Sequence, residues 1–137
     1  MKNLINILLT TGGVITGFLF GEWDGIIIAL ISFIVIDYIT GVINGIVNHK
    51  LSSKRGFEGL LKKVVILIVV AIGHLIDVYM LGGGAVVRNA AIFFYISNEG
   101  ISILENCVSI GVPVPEKIKV ILEQIGEDAD GNKETDK

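Results

Sequence analysis

A chain of 137 residues that is 52% hydrophobic, has a mean hydropathy of +0.73 and carries only 18% charged residues is too apolar for an ordinary water-soluble domain, in which about a quarter of residues are charged. The formal net charge of −3 conceals a segregation, because five of the eleven bases lie between Asn48 and Lys63 while the acids gather in the last fifteen residues. This pattern excludes a nucleic-acid reading, which needs a basic stripe with interleaved aromatics, and the single Cys107 excludes an intramolecular disulfide.

The first apolar run, Leu4 to Gly21, would be about 27 Å long as a helix, close to the ~30 Å thickness of the hydrocarbon core. It exceeds a signal-peptide core and is followed by no small-residue cleavage site, so it reads as a retained span. Gly13, Gly17 and Gly21 recur at every fourth position, a spacing that lets helix backbones approach closely in lipid. Glu22-Trp23-Asp24 then forms a short acidic turn with an aromatic suited to the headgroup level.

The second run, Gly25 to Val47, is the strongest span signal. Its second half carries Asp37, Thr40, Gly41, Asn44 and, just beyond, Asn48, all within roughly a 100° arc of a helix. An ionisable side chain this deep costs about 2.5–3.5 kcal/mol on insertion scales, so Asp37 should face protein or water. Gly45 adds a second small residue beside Gly41 for helix packing.

The segment 48–63 reads as a basic loop with Lys50, Lys54, Arg55, Lys62 and Lys63 against one acid, Glu58. Such clusters are retained on the cytoplasmic side, so these residues set the topology. The third run, Val64 to Leu81, carries His74 and Asp77 about one turn apart, as the polar end of the span or as partners for another helix. Gly82-Gly83-Gly84 predicts a tight reversal.

The fourth run, Ala85 to Ile110, is amphipathic. Arg88, Tyr95, Asn98, Glu99, Ser102 and Asn106 share one arc with Glu105 at its edge, opposite Phe93, Ile101, Leu104 and Val108. It can span with that stripe toward water or other helices, or lie in the interface. Val112 to Pro115 should be extended, with Pro115 at the first position of a short amphipathic helix built on Ile118, Ile121, Leu122 and Ile125 and ended by Gly126. The residues from 127 to 137 read as a disordered charged tail.

The expected fold is therefore an all-α membrane protein. A membrane-embedded domain over 1–111 has about four helices (4–21, 25–47, 64–81 and 85–110), followed by the C-terminal helix over 112–126. Placing the basic loop inside puts both termini in the cytoplasm. His49, His74 and Cys107 do not make a metal site. No phosphate-binding glycine loop or nucleophilic triad appears, so neither a cofactor nor an enzymatic activity is expected.

Several short pieces in order resemble a known family. They are Asp37-Tyr38-Ile39-Thr40-Gly41, then Leu51-Ser52-Ser53-Lys54 with Gly56, Gly59 and Lys62-Lys63, then Ala71, His74 and Asp77. Phe94-Tyr95-Ile96, Asn98-Glu99, Ser102-Ile103, Glu105-Asn106, Gly111, Pro113 and Pro115 follow, so the match runs from about Gly25 to Leu122. The chain resembles the phage holins of the toxin-secretion/phage-lysis type, which include clostridial toxin-release holins. The resemblance implies a non-enzymatic protein of the bacterial cytoplasmic membrane that associates with itself in the bilayer and permeabilises it. A peptidoglycan hydrolase or a toxin would then be its functional partner, without need of direct contact. Its pore-lining or inter-helix polar candidates come from the helical arcs: Asp37, Thr40, Asn44, His74, Asp77, Arg88, Tyr95, Asn98, Glu99, Ser102, Glu105 and Asn106. A constitutive channel or transporter subunit using the same charged residues is the competing reading.

Overall fold

The computed structural model describes residues 1–131, which form five helices and, among the described residues, no strand. They are α1 (Lys2–Phe20), α2 (Gly25–Val47), α3 (Ser53–Tyr79), α4 (Val86–Ile110) and α5 (Glu116–Asp130). The protein is all-α as expected, and α1, α2 and α3 are long and apolar enough to cross a membrane. The amphipathic α4 is not among those three.

Local sequence explains most helix ends. Asp24 caps α2 by accepting from Ile27 N at 3.3 Å, and Ser52 caps α3 by accepting from Arg55 N at 3.4 Å. Helix α4 closes at Gly111 (φ 99°), where Gly111 N donates to Val108 O and Val112 N to Cys107 O, the paired bonds of a left-handed helix terminus. The α3–α4 turn has all three glycines at positive φ (77°, 122° and 81°), a backbone that side-chain-bearing residues rarely adopt.

Three boundaries differ from expectation. The loop between α2 and α3 is 48–52, not 48–63, because the Ser52 cap starts a helix whose first turns carry Lys54, Arg55, Lys62 and Lys63. Lys and Arg are good helix formers, so the helix continues below the apolar run. Pro115 stands at the cap of α5, one residue ahead of the helix. Helix α5 also runs through Gly126 to Asp130 and closes at Gly131 (φ 72°), so residues 127–130 are helical rather than part of a disordered tail. The remaining tail, 132–137, lies outside the described residues.

Helix α4 is the hub, contacting α2, α3 and α5 extensively. It runs parallel to α2, with Arg88 meeting Asp24 at one end and Ser109 meeting Asn44 at the other. It runs antiparallel to α3, with its Arg88 end against Gly73 and Asp77 and its Glu99 level against Lys63. A Cβ on Gly73 would sit 3.1 Å from Arg88 Cα, so a larger residue would push the two backbones apart by a few tenths of an ångström. The apolar core is Ile27 and Leu30 of α2, Val70 of α3, and Ile92 and Ile96 of α4.

Helix α5 folds back antiparallel on α4. Ser97 Oγ donates to Leu122 O at 2.6 Å, and the 7%-exposed Leu122 packs over Gly100, where a Cβ would come within 2.8 Å of its methyls. Gly126 faces Ser97 closely enough that an added Cβ would lie 2.9 Å from Ser97 Cβ. Gly126 is therefore a packing residue inside α5 and not its cap. By contrast α1 has no buried residue and meets the bundle only near its last turn, where Phe18 and Tyr79 rings lie 6.4 Å apart.

Candidate functional site

Arg88, Glu99, Asn106 and Ser109 of α4 meet the other helices in two polar layers. The first lies at the α1–α2 turn. Arg88, 3% exposed, donates through Nε to Phe20 O (2.6 Å), through Nη2 to Glu22 O (2.8 Å), and through both terminal nitrogens to Asp24 (3.1 and 3.2 Å). The Arg88 guanidinium holds the Asp24 carboxyl below its ordinary value against the opposing effect of burial. Asp77, fully buried, accepts from Val87 N at 3.0 Å and Arg88 N at 2.9 Å. Helix α4 has no side-chain cap from its own cap residue, Ala85, and Asp77 of α3 supplies one instead. His74 sits one turn earlier against Gly21, where a Cβ would come within 2.9 Å of its ring. Asp77 thus partners another helix through the α4 backbone.

The second layer lies toward the basic end. Lys63 Nζ contacts Asp37 Oδ2 and Glu99 Oε2, each at 2.6 Å, with the three side chains only 9–13% exposed. Asn106 Nδ2 donates to Asp37 Oδ1 (3.1 Å) and Thr40 Oγ1 (3.0 Å), and Ser109 Oγ donates to Asn44 Oδ1 (2.9 Å). Asn48 Nδ2 extends this chain of bonds to Ser109 Oγ (3.3 Å). One ammonium serves two carboxylates, so the ionised triad carries a net negative charge. A low-dielectric setting makes such a network stable only when every member is satisfied, and no buried side-chain polar atom among the described residues lacks a partner.

Between α2, α3 and α4 this layer opens into a cleft of about 670 Å³. Its walls include Asp37, Asn44, Lys63, Glu99 and Ser102, with Lys50, Arg55 and Lys62 near its mouth and Gly41 and Gly45 forming its small-residue side. A Cβ at Gly41 would make only an ordinary contact with Asn106, at 3.7 Å, whereas one at Gly45 would press on Leu51 at 3.3 Å. The cleft does not continue through the chain, because Ile92, Ile96, Leu30 and Val70 fill the space between the two polar layers.

Other expected residues lie elsewhere. Tyr95 packs against the apolar core and edge-on to Phe94 (5.2 Å, 79°). Asn98, Glu105 and Lys54 are exposed. Gly13 and Gly17 face nothing within 4 Å of where a Cβ would be. Among the described residues, no three His, Cys, Asp or Glu side chains come together as metal ligands would.

The sequence does not single out Lys63, Asp24, Ser97 or Gly100 as contact residues. Lys63 gave a complete account of itself as a topological charge, so its pairing with acids 26 and 36 positions away left no trace. Asp24 looked like one acid of a surface turn. Ser97 and Gly100 carried a usable signal, two small residues on the apolar side of α4, which marks a face that another backbone approaches.

A family model described as the bacteriophage holin family matches residues 14–127. The chain belongs to the bacteriophage holin family. Among its relatives, a "probable holin" of Bacillus phage phi105 is 38% identical over 119 residues, covering 87% of each chain. An uncharacterised protein of Clostridium perfringens is 42% identical, covering 91% of this chain and 97% of the relative. An uncharacterised protein of Listeria monocytogenes is 51% identical, covering 80% of this chain and 78% of its own. No solved structure matches the chain. Holin membership, with three helices apolar enough to span, makes this a membrane protein of holin-like function and points away from enzymatic chemistry.

Proposed function

We propose that this holin-family chain associates with copies of itself in the bacterial cytoplasmic membrane and permeabilises it, releasing a phage endolysin or a toxin. The observation that carries this reading is its similarity to a phage "probable holin" along 87% of both chains. Two structural features support it. Exposed apolar side chains such as Ile28, Ile39, Val65 and Ile68 suit lipid, whereas α1, with Gly13 and Gly17 unopposed among the described residues, offers a close-packing face. Because apolar side chains close the polar column inside one chain, a conduit would have to form between copies.

Lys54, Arg55, Lys62 and Lys63 on the first turns of α3 would hold the α2–α3 connection, the N-terminus and the α4–α5 connection on the cytoplasmic side. The rival reading, a constitutive selective channel, needs ionisable groups free to meet ions. Asp37, Lys63 and Glu99 are instead engaged with one another. Induced expression with a potential-sensitive dye separates the two. The holin reading expects an abrupt collapse of potential, followed by lysis only when a peptidoglycan hydrolase is co-expressed. Harmless accumulation with the potential maintained would count decisively against it.

A further inference from the structure

Helix α5 is short and heavily charged, with five acids and two lysines in fifteen residues, yet it packs along α4, which is itself docked on the most apolar helix of the chain. Its inner edge is Leu122, Ile125, Gly126 and Ala129, all buried or half-buried. Its outer side carries Glu116, Lys119, Glu123 and Glu127, all exposed. Leu122 reaches the level of Gly100 and Phe33, the latter being the ninth residue of α2, about 12 Å from the outer end of that helix. Because α5 runs antiparallel to α4, Glu123 lies about 1.5 Å from that level and Lys119 about 4.5 Å from it on the other side. If α2 spans, these charges stand inside the hydrocarbon thickness while facing out of the bundle. Charged side chains at such a depth face water or protein and not lipid. The surfaces of α1 and of the outer side of α3 are apolar and suit lipid, so the chain has one face of each kind.

We infer that α5, docked on α4, is the water-facing wall of the conduit formed by several copies, with Lys119, Glu123 and Glu127 lining it. This deepens the permeabilising reading above and rests on it. The inner edge of α5 at Leu122, Ile125, Gly126 and Ala129 is covered by α4, and the apolar residues on its exposed surface, Ile118, Val120 and Ile121, all lie in its first two turns.

The test uses dye-loaded proteoliposomes of the full chain in a Cys107→Ala background. Ser97→Cys with Gly126→Cys locks α5 on α4 after mild oxidation. Ser97 Cβ lies 2.9 Å from a Cβ built at Gly126, so the helices part by under about 1.5 Å to reach the 3.5–4.5 Å of a disulfide. The reduced form of the same variant reports whether it folds and leaks. In locked and unlocked protein, Glu123→Cys is probed with a charged thiol reagent beside Glu58→Cys, exposed at the basic end, and Val65→Cys on the apolar side of α3.

The expected result is leakage undiminished by locking, with Glu123→Cys labelled at the rate of Glu58→Cys and Val65→Cys slower by about ten-fold or more. Leakage lost on oxidation would overturn the inference, since the docked form would then be closed. Leakage retained with Glu123→Cys as slow as Val65→Cys would also overturn it, since the face would be covered. If the double variant does not leak when reduced, the labelling of Glu123→Cys in leaking single-variant protein decides alone. No leakage from the Cys107→Ala parent would instead sink the permeabilising reading itself.

Discussion

Asp77 has no exposed surface and stops the backbone of another helix, accepting the two N–H groups of Val87 and Arg88. Removing it strands both donors, so Asp77→Ala should cost about 2–4 kcal/mol, while Asp77→Asn, which keeps one acceptor, should cost less. Thermal unfolding in detergent micelles measures both. Lys63 presents the converse case, one cation holding two carboxylates. Lys63→Met leaves two buried acids uncompensated and should destabilise by about 3 kcal/mol. Adding Asp37→Asn and Glu99→Gln should recover most of that, because the loss comes from the stranded charges. Asp24 titrates at the edge of the bundle. Its folded pKa lies below the unfolded value because Arg88 binds the ionised form, so its contribution is present above the ordinary carboxylate range and lost as pH falls through the folded pKa. Between about pH 4 and pH 2 the wild-type chain should therefore lose stability more steeply than Asp24→Asn, as followed by melting in detergent. The arcs alone group Asp37 with Thr40 and Asn44, and Asn106 with Glu99 and Ser102, while leaving open whether the α4 stripe meets water, the interface or other helices. They do not show Lys63, the partner that Asp37 and Glu99 share, because a lysine at the start of a span has a sufficient explanation in topology.

At the scale of elements, α4 organises the fold although it lacks the continuous apolar stretch that α1, α2 and α3 each carry. Its helical wheel showed a polar stripe, and the structure turns Glu99 and Asn106 of that stripe toward α3 and α2 while its smaller residues receive α5. Glu99→Leu should consequently impair membrane permeabilisation far more than Leu104→Ala, since it breaks the tie to Lys63 whereas Leu104 is only half-buried. The time from induction to potential collapse compares them, and equal delays would deprive the stripe of functional meaning. Where the sequence reading went astray, tertiary contact had overridden local preference. Gly126 looks like a helix stop, but Ser97 demands a small residue there and α5 runs on. The basic residues after Ser52 look like loop by hydropathy, which sees partitioning and not helicity, and a capped helix carries them.

For the whole molecule, two surfaces stand exposed among the described residues, Lys119, Glu123 and Glu127 on the polar side of α5 and the length of α1 as far as Ile15. If α1 meets a second copy through its glycines, Gly13→Leu with Gly17→Leu should leave the melting of the isolated chain within about 0.5 kcal/mol of wild type. The same pair should weaken chemical cross-linking between copies in the membrane. Unchanged cross-linking would assign that face to lipid. The three apolar spans were readable because partitioning leaves a compositional mark on a chain. The route of α5 was not, because a short amphipathic helix reads the same whether it covers a neighbour or lies on a membrane.

Helix α4 falls short of the apolarity that would let it partition by itself, and its Arg88, Glu99 and Asn106 are satisfied by groups on the α1–α2 turn, α2 and α3. Each of these partners precedes α4 in the chain, so the polar groups of α4 find their ties already made by the time the helix itself is complete.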